Sequence, residues 1–354
     1  MKIVIGMPPG ASRSTQRFLE RFRQVAEINK IVTRDVSLAG SKVLSDIRRG
    51  DLFVSRWDDR FLDREIMEYF CDAVDGQLSF GVLPPYEDVR RYNNKARVEA
   101  VLDRLAIERP RAIVLFDRSA GMGAVDAVGL PCVVKTAWGA GGVGVRLVST
   151  RKEFRKVIRR SFGSGTEDAI RSGVLGLPLS FEDAKVRVVK GFRRILSNMG
   201  VRQLGRVPIP PYEPRLPGPL VVQEFIPANL ADIRITAIGG RFFAFRRLVR
   251  DDGYRASGSG RISYDLDSEV ERAIIAAKNI HSALGFECMA YDFLISEGGQ
   301  PLLIEMNYTF YDRAVYRCPG YWDGSLNWEQ GQYWPQALLL RDRLGPGHIK
   351  ELRV

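Results

Sequence analysis

The chain opens on the apolar run KIVIG, residues 2–6, followed by PPGAS and then STQRFLERFRQVAEI, in which Phe18, Phe22 and Val25 recur at helical spacing. A turn signal between a short apolar run and an amphipathic stretch predicts a strand followed by a helix. KIVTRDVSL and DLFVSRW have strand character and flank the helical SKVLSDIRRG, so the first eighty or so residues predict a β-α-β-α-β layer. Pro84-Pro85 in GVLPPYEDVRRYNNK breaks this rhythm, and a helix is expected from about Lys95 to Leu105. RPRAIVLFD then predicts a strand, GMGAVDAVGLP a connector, LPCVVKT and GVRLVST two further strands, and RKEFRKVIRRSF a basic amphipathic helix. Residues 161–218 are less regular, with helical spacing in AKVRVVKGFRRILSNM and an extended surface loop predicted for RVPIPPYEPRLPGP. Beyond them, LVVQEFI, DIRITAIGG and RFFAFRRLVR predict strands, the last two joined as a hairpin at Gly239-Gly240. The Ser/Gly loop ASGSGR precedes a helix in SEVERAIIAAKNIHSALG, and MAYDFLISEGGQPLLIEMN predicts a second hairpin, turned at Gly298-Gly299. An aromatic, irregular stretch leads to a final helix in PQALLLRDRL, and no internal repeat is visible.

Composition narrows the class. With 354 residues, 45% hydrophobic and 27% charged, the chain is long enough for two or three cored domains of ordinary soluble type. No apolar run approaches the roughly 18–20 residues that span a bilayer, and MKIVIGMPPG reads as a first strand rather than a signal peptide. Cys71, Cys132, Cys288 and Cys318 form no C-x-x-C pair, which suits reduced, buried cysteines and a cytoplasmic setting. His281 and His348 are the chain's two histidines, which argues against a histidine-based zinc site or a Ser-His-Asp triad. The net charge of +11 calls for an anionic partner, and residues 151–220 carry +9 of it, from 15 basic and 6 acidic residues. This segment either captures an acidic substrate or carrier or forms a solvated helical face.

The candidate chemistry starts at LPCVVKTAWGAGGVGVRLV, residues 130–148, where Gly139, Gly141 and Gly144 satisfy G-x-G-x-x-G. A dinucleotide fold needs a helix after these glycines, since the helix N-terminus holds the pyrophosphate. VGVRLVST alternates as a strand instead, which disfavours a dehydrogenase. A glycine-rich turn between antiparallel strands can fold its N–H groups over phosphates, with Lys135 reaching the same phosphates as a point charge. The plain alternative is a glycine-rich hairpin with a surface lysine. Three other stretches change that balance. VVQEFIPANLADIRITAIGGRFFAFRRLVR combines Glu224, Asp232, Arg234, Arg246 and Arg247, with Asp232 and Arg234 on one strand face. YDFL and LLIEMN place Asp292, Glu305 and Asn307 on one hairpin, an oxygen-rich set suited to Mg²⁺ that would otherwise be a solvated strand face. YNNKARVEAVLDRL sets Lys95 near a helix start.

In this order and spacing, the stretches resemble the ATP-grasp superfamily of carboxylate–amine ligases, over roughly residues 90–150 and 220–310. The resemblance implies an α/β fold in which ATP lies between two α+β lobes behind an N-terminal Rossmann-like layer. The implied domains are 1–88, 89–220 with the basic insert 151–220, and 221–354. It implies that Lys95 and Lys135 bracket ATP and that Gly139, Gly141, Gly142 and Gly144 form a flap. Gln223, Glu224, Phe225 and Ile226 would form the hinge against adenine, and Asp232 would touch the ribose. Arg234 and Arg246 or Arg247 would face the γ-phosphate or acyl phosphate, and Asp292, Glu305 and Asn307 would hold one or two Mg²⁺ (or Mn²⁺). The implied reaction joins a small-molecule, peptide or sugar acid to an amine through an acyl phosphate, releasing ADP and phosphate. A homo-oligomer is compatible with it, and no membrane partner is expected.

Two departures stand out: about seventy residues separate flap from hinge, and EMNYTFYDR lacks the small residues that often follow the Asn. YRASGSGR resembles a subset associated with surface-polysaccharide synthesis. The competing classes are a basic nucleic-acid-binding protein, since Phe154, Phe162 and Phe192 interleave with arginines, and a nucleotide-binding scaffold without catalysis. Trp138, His281 and the aromatic Tyr321, Trp322 and Trp328 are read as packing residues first, the last three also as a possible acceptor wall.

Overall fold

A computed structural model describes residues 1–57, 61–92, 94–137, 144–162, 219–250, 256 and 259–352. Three sheets organise them. The first is parallel, in the order β2-β1-β3-β4, from β1 (Lys2–Met7), β2 (Val32–Ser37), β3 (Leu52–Ser55) and β4 (Val82–Leu83). Between them run α1 (Arg13–Ile28), α2 (Val43–Ile47) and α3 (Phe61–Val74). The predicted layer is therefore present, and it extends further: α3 and β4 continue it through the stretch where the prolines signalled a break. In α1, Ser12 caps the start by accepting from the Thr15 N–H at 3.1 Å. Phe18, Leu19, Phe22, Val25 and Ala26 are buried on one face of that helix.

After α4 (Tyr86–Tyr92) and α5 (Lys95–Arg104), an antiparallel sheet forms in the order β5-β8-β6-β7. Its strands are β5 (Ala112–Leu115), β6 (Cys132–Thr136), β7 (Val145–Val148) and β8 (Leu220–Glu224). GMGAVDAV, expected as a connector, is the helix α6 (Gly121–Val128); its glycines masked a real apolar face of Ala124, Val125 and Val128. The basic helix α7 (Arg151–Phe162) buries Phe154, Ile158 and Phe162 against this sheet and turns its cations outward. The helix and loop expected within 163–218 lie outside the described residues. β8 pairs with β5 and β6, so Leu220–Glu224 belongs to the middle sheet.

The third sheet runs β13-β12-β9-β10-β14-β15, with β11 (Ile262–Ser263) on β10. It contains the two predicted hairpins, β9 (Ala231–Ile238) with β10 (Arg241–Leu248) and β12 (Cys288–Ile295) with β13 (Pro301–Asn307). The irregular aromatic stretch adds a third hairpin, β14 (Gly320–Trp322) with β15 (Trp328–Gln330), where Trp322 and Trp328 meet edge to face at 4.5 Å. The helix α8 (Ser268–Leu284) covers one face; Asp267 caps it and Gly285, at φ 68°, ends it. Short α9 (Asp312–Tyr316) and α10 (Pro335–Leu344) close the chain.

Core residues show how the layers join. One apolar cluster runs from Val4 and Phe53 in the first sheet to Ile235 and Tyr291 in the third, and another links α1 with α10. The middle sheet has a cluster of its own. All four cysteines are free and buried. Among the described residues, no helix is long and apolar enough to cross a membrane.

Candidate active site

The middle sheet meets the third at two lysines. Asn94 caps α5 by accepting from Ala96 and Arg97 N–H at 2.9 and 3.2 Å, which fixes Lys95 in the first turn. The Lys95 N–H donates to the carbonyl of Ala137 at 2.9 Å, so the start of α5 is tied to the end of β6. Lys95 Nζ stands 3.7 Å from Glu305 Oε1, and Lys135 Nζ, from β6, donates to the Ile304 carbonyl at 3.2 Å. Both lysines thus converge on the same turn of β13. Lys135 is only 9% exposed, and burial lowers its pKa, with Glu305 and Glu99 opposing that shift.

Strand register assembles the rest. Asp292 lies opposite Arg234 on β9 and opposite Glu305 on β13, and Asp232 lies opposite Arg247 on β10. With period two along each strand, Asp232, Arg234, Arg247, Asp292, Glu305 and Asn307 share one face. Arg234 grips Asp292 through Nε and Nη2 at 2.6 and 2.7 Å. Arg247 grips Asp232 through Nε and Nη2 at 2.7 and 2.5 Å and reaches Asp292 Oδ2 at 2.6 Å. Burial pushes the Asp292 carboxyl up, but Arg234 and Arg247 outweigh it and hold the carboxyl below its ordinary range. For Asp232 burial wins and the pKa is raised, with Arg247 opposing. Four cations face three carboxylates here, a net +1 that suits a polyanion.

The structure treats other expected residues differently. Arg246 alternates to the opposite face of β10, where Nη2 bonds Asp267 at 2.7 Å and Glu269 at 2.8 Å beside the start of α8; it is not part of the cluster. The Asp232 residue is only 4% exposed, and its carboxylate is paired with Arg247. Gln223 is buried within β8, Glu224 is held by Arg111 Nε at 3.2 Å, and Phe225 and Ile226 follow the strand partly buried. Gly139, Gly141, Gly142 and Trp138 lie outside the described residues, as do Tyr254, Arg255, Ser257 and Gly258 of YRASGSGR. Gly144 is described: it has φ 74° at the start of β7, and a Cβ there would lie 2.0 Å from Thr136 Oγ1. The glycine pattern therefore leads into a strand, not a helix. His281 is a core residue, its Nδ1 2.9 Å from the Tyr291 hydroxyl, and burial lowers its pKa to about 4.

A divalent cation fits through oxygen chemistry. Glu305, 30% exposed at its side chain, keeps lone pairs free beyond its lysine contact. Asp292 already accepts three arginine N–H bonds, and Asn307 Oδ1 accepts from the Thr309 N–H at 2.8 Å and hydroxyl at 2.7 Å. Among the described residues, no group of three His, Cys, Asp or Glu is disposed to hold a metal, so Glu305 is the principal candidate ligand. Glu99, one turn after Lys95, was missed from the sequence. Its K-x-x-x-E spacing on a helix was the available signal.

The comparisons add to this geometry. Residues 95–188 match the family described as carbamoyl-phosphate synthase L chain, ATP binding domain. The structure is similar to D-cycloserine synthetase DcsG, with a TM-score of 0.59 and 17% identity over 97% of this chain and 100% of that one. The chain has the ATP-grasp fold. The D-alanine–D-alanine ligase of Bacillus anthracis shares the fold at TM-score 0.53 and 14% identity, over 88% of each chain. So does the biotin carboxylase domain of the Hydrogenobacter thermophilus 2-oxoglutarate carboxylase, in complex with MgADP, ADP and bicarbonate. Its TM-score is 0.59 at 12% identity, over 97% of this chain and 69% of that one. No curated protein matches the chain by sequence.

Proposed function

We propose that this ATP-grasp protein is a Mg²⁺-dependent ligase that joins a carboxylic acid to an amine through an acyl phosphate. The observation that carries the reading is the convergence of Lys95 on Glu305 and of Lys135 on the adjacent Ile304 carbonyl, beside a strand face bearing Arg234 and Arg247. Two anions must meet in such a reaction, and a site of fixed cations lowers that cost without a nucleophilic side chain.

In the first step an oxygen of the acid attacks the γ-phosphorus, the bond from that phosphorus to the β-γ bridging oxygen breaks, and ADP leaves. The amine nitrogen then attacks the acyl carbon, the bond to the phosphate oxygen breaks, and the nitrogen loses its proton as inorganic phosphate departs. Lys95 and Lys135 would bind the phosphates, and Arg234 and Arg247, oriented by Asp292 and Asp232, would keep the face positive towards the transferring group. Glu305, with Asp292 and Asn307 beside it, would hold Mg²⁺, which supplies charge neutralisation on phosphate oxygens. Gly144 would let the hairpin backbone approach the nucleotide, and Gln223 to Ile226 would line the adenine end.

Calorimetric titration with ATP and Mg²⁺, followed by ADP release against panels of acids and amines, tests the reading. Lys135→Ala should weaken ATP binding, and Glu305→Ala should lower turnover by about 10²–10³. Wild-type protein that binds neither ATP nor Mg²⁺ would overturn the proposal.

A further inference from the structure

The chain crosses from the middle sheet to the third between β8, which ends at Glu224, and β9, which begins at Ala231. Both ends of this crossing are tied. At the entry, the Glu224 N–H donates to the Arg111 carbonyl at 2.8 Å. The Glu224 carboxylate accepts from the Arg111 N–H, Nε and Nη2, each at 3.2 Å. At the exit, Asn229 Oδ1 accepts from the Ile295 N–H at 2.9 Å, and Nδ2 donates to the carbonyls of Ile295 at 3.0 Å and Pro227 at 3.1 Å. The register of β9 with β12 pairs Asp292 with Arg234 and Phe293 with Ile233, and its continuation would bring Ile295 opposite Ala231. The Asn229 carboxamide takes that rung instead, because it carries the donor and the acceptor of a peptide group. Ala228, just before it, has φ 63°, a left-handed conformation that a residue with a Cβ keeps only where its surroundings fix it.

The crossing lies a nucleotide's length from the phosphate lysine. Lys135 is opposite Val221 on β8, and the crossing begins four residues further along that strand, about 13 Å away. An extended nucleotide with its phosphates at Lys135 would bring its base to residues 225–227. We infer that Asn229 is a positioning residue for that base: by closing onto Ile295 it fixes the backbone of residues 225–227 where the base meets it. It does not touch the nucleotide. This inference rests on the reading that Gln223 to Ile226 line the adenine end.

Two probes separate this role from a merely structural one: Mg·ATP, and Mg·tripolyphosphate, which carries the phosphates without the nucleoside and is titrated in competition with Mg·ATP. Asn229→Ala should weaken Mg·ATP about tenfold and leave Mg·tripolyphosphate within about twofold of wild type. Asn229→Asp keeps the acceptor for the Ile295 N–H and loses both donations, so its loss for Mg·ATP should be smaller, about threefold, again with tripolyphosphate unmoved. Circular dichroism monitors folding; if Asn229→Ala does not fold, Asn229→Asp carries the test with the same two probes. Equal losses for both probes, or no loss for Mg·ATP in a folded variant, would overturn the inference. Wild-type protein that binds tripolyphosphate as tightly as ATP would remove the adenine reading, and this inference with it. Wild-type protein that binds neither probe would remove the ligase reading as well.

Discussion

Arg247 bonds Asp232 and Asp292 at once from a side chain 11% exposed. Burial works against its charge, and the two carboxylates more than restore it, raising its pKa. Removing one partner from such a set leaves uncompensated buried charge, and that is where the large energies lie. Arg247→Ala should therefore destabilise the protein by about 3–5 kcal/mol in urea unfolding, against less than about 1 kcal/mol for an exposed pair such as Arg151–Asp126. At this scale the sequence was partly legible. Residue type and spacing singled out Arg234, Arg247, Asp292 and Glu305, but not that Asp232 pairs with Arg247 or that Arg246 faces away. Those depend on which strands become neighbours, and a strand's two faces look alike until its partners are known.

Hairpins and helix ends hold the site's parts in place. The β6–β7 hairpin needs Gly144 at φ 74°, with Thr136 filling the space where a Cβ would sit. Gly144→Ala should lower stability by about 1–3 kcal/mol, and adding Thr136→Ala should recover only part, since the backbone strain remains. The join between α4 and β12 has its own titrating group. Asp88 accepts from the Glu287 N–H at 2.9 Å, and burial raises its pKa to about 7. A carboxyl with a raised folded pKa favours the fold at low pH, and that contribution is lost as pH rises from 3.8 through about 7. Asp88→Asn removes the loss, so its stability relative to wild type should grow between pH 5 and 8, by roughly 2.7 kcal/mol at most, in urea titrations at the two pH values. Elements with strong periodicity, such as α1, α5 and both long hairpins, were readable from the chain. α6 was not, because glycine at its first and third positions outweighs a short apolar face in any local reading.

For the molecule as a whole, the candidate site is a seam. Lys95 starts α5 and Lys135 lies on β6, Glu305 and the arginines belong to the third sheet, and the N–H of Leu303 bonds the Glu108 carbonyl at 3.0 Å across the same seam. A ligand that engages both sides stabilises the folded, joined state by mass action. Mg·ATP at a hundred times its dissociation constant should therefore add about 2.7 kcal/mol to unfolding stability, seen as a raised melting temperature. Glu305→Ala should remove most of that gain. The first and third sheets share apolar clusters, one of which also takes in Val98 and Leu102 of α5, while the middle sheet packs around a cluster of its own.

By itself, the sequence determined the alternation of strands and helices, the two long hairpins, the glycine turn that leads into a strand, and the charged residue types that the strand face gathers. These are local matters, set by side-chain period, turn chemistry and charge. The tertiary structure alone decided that β8 joins the middle sheet, that β4 completes the first, that Arg246 leaves the cluster, and that Glu99 is buried against Arg109. Each depends on contacts outside the residue's own element, where strand register and burial, rather than local propensity, set the energy.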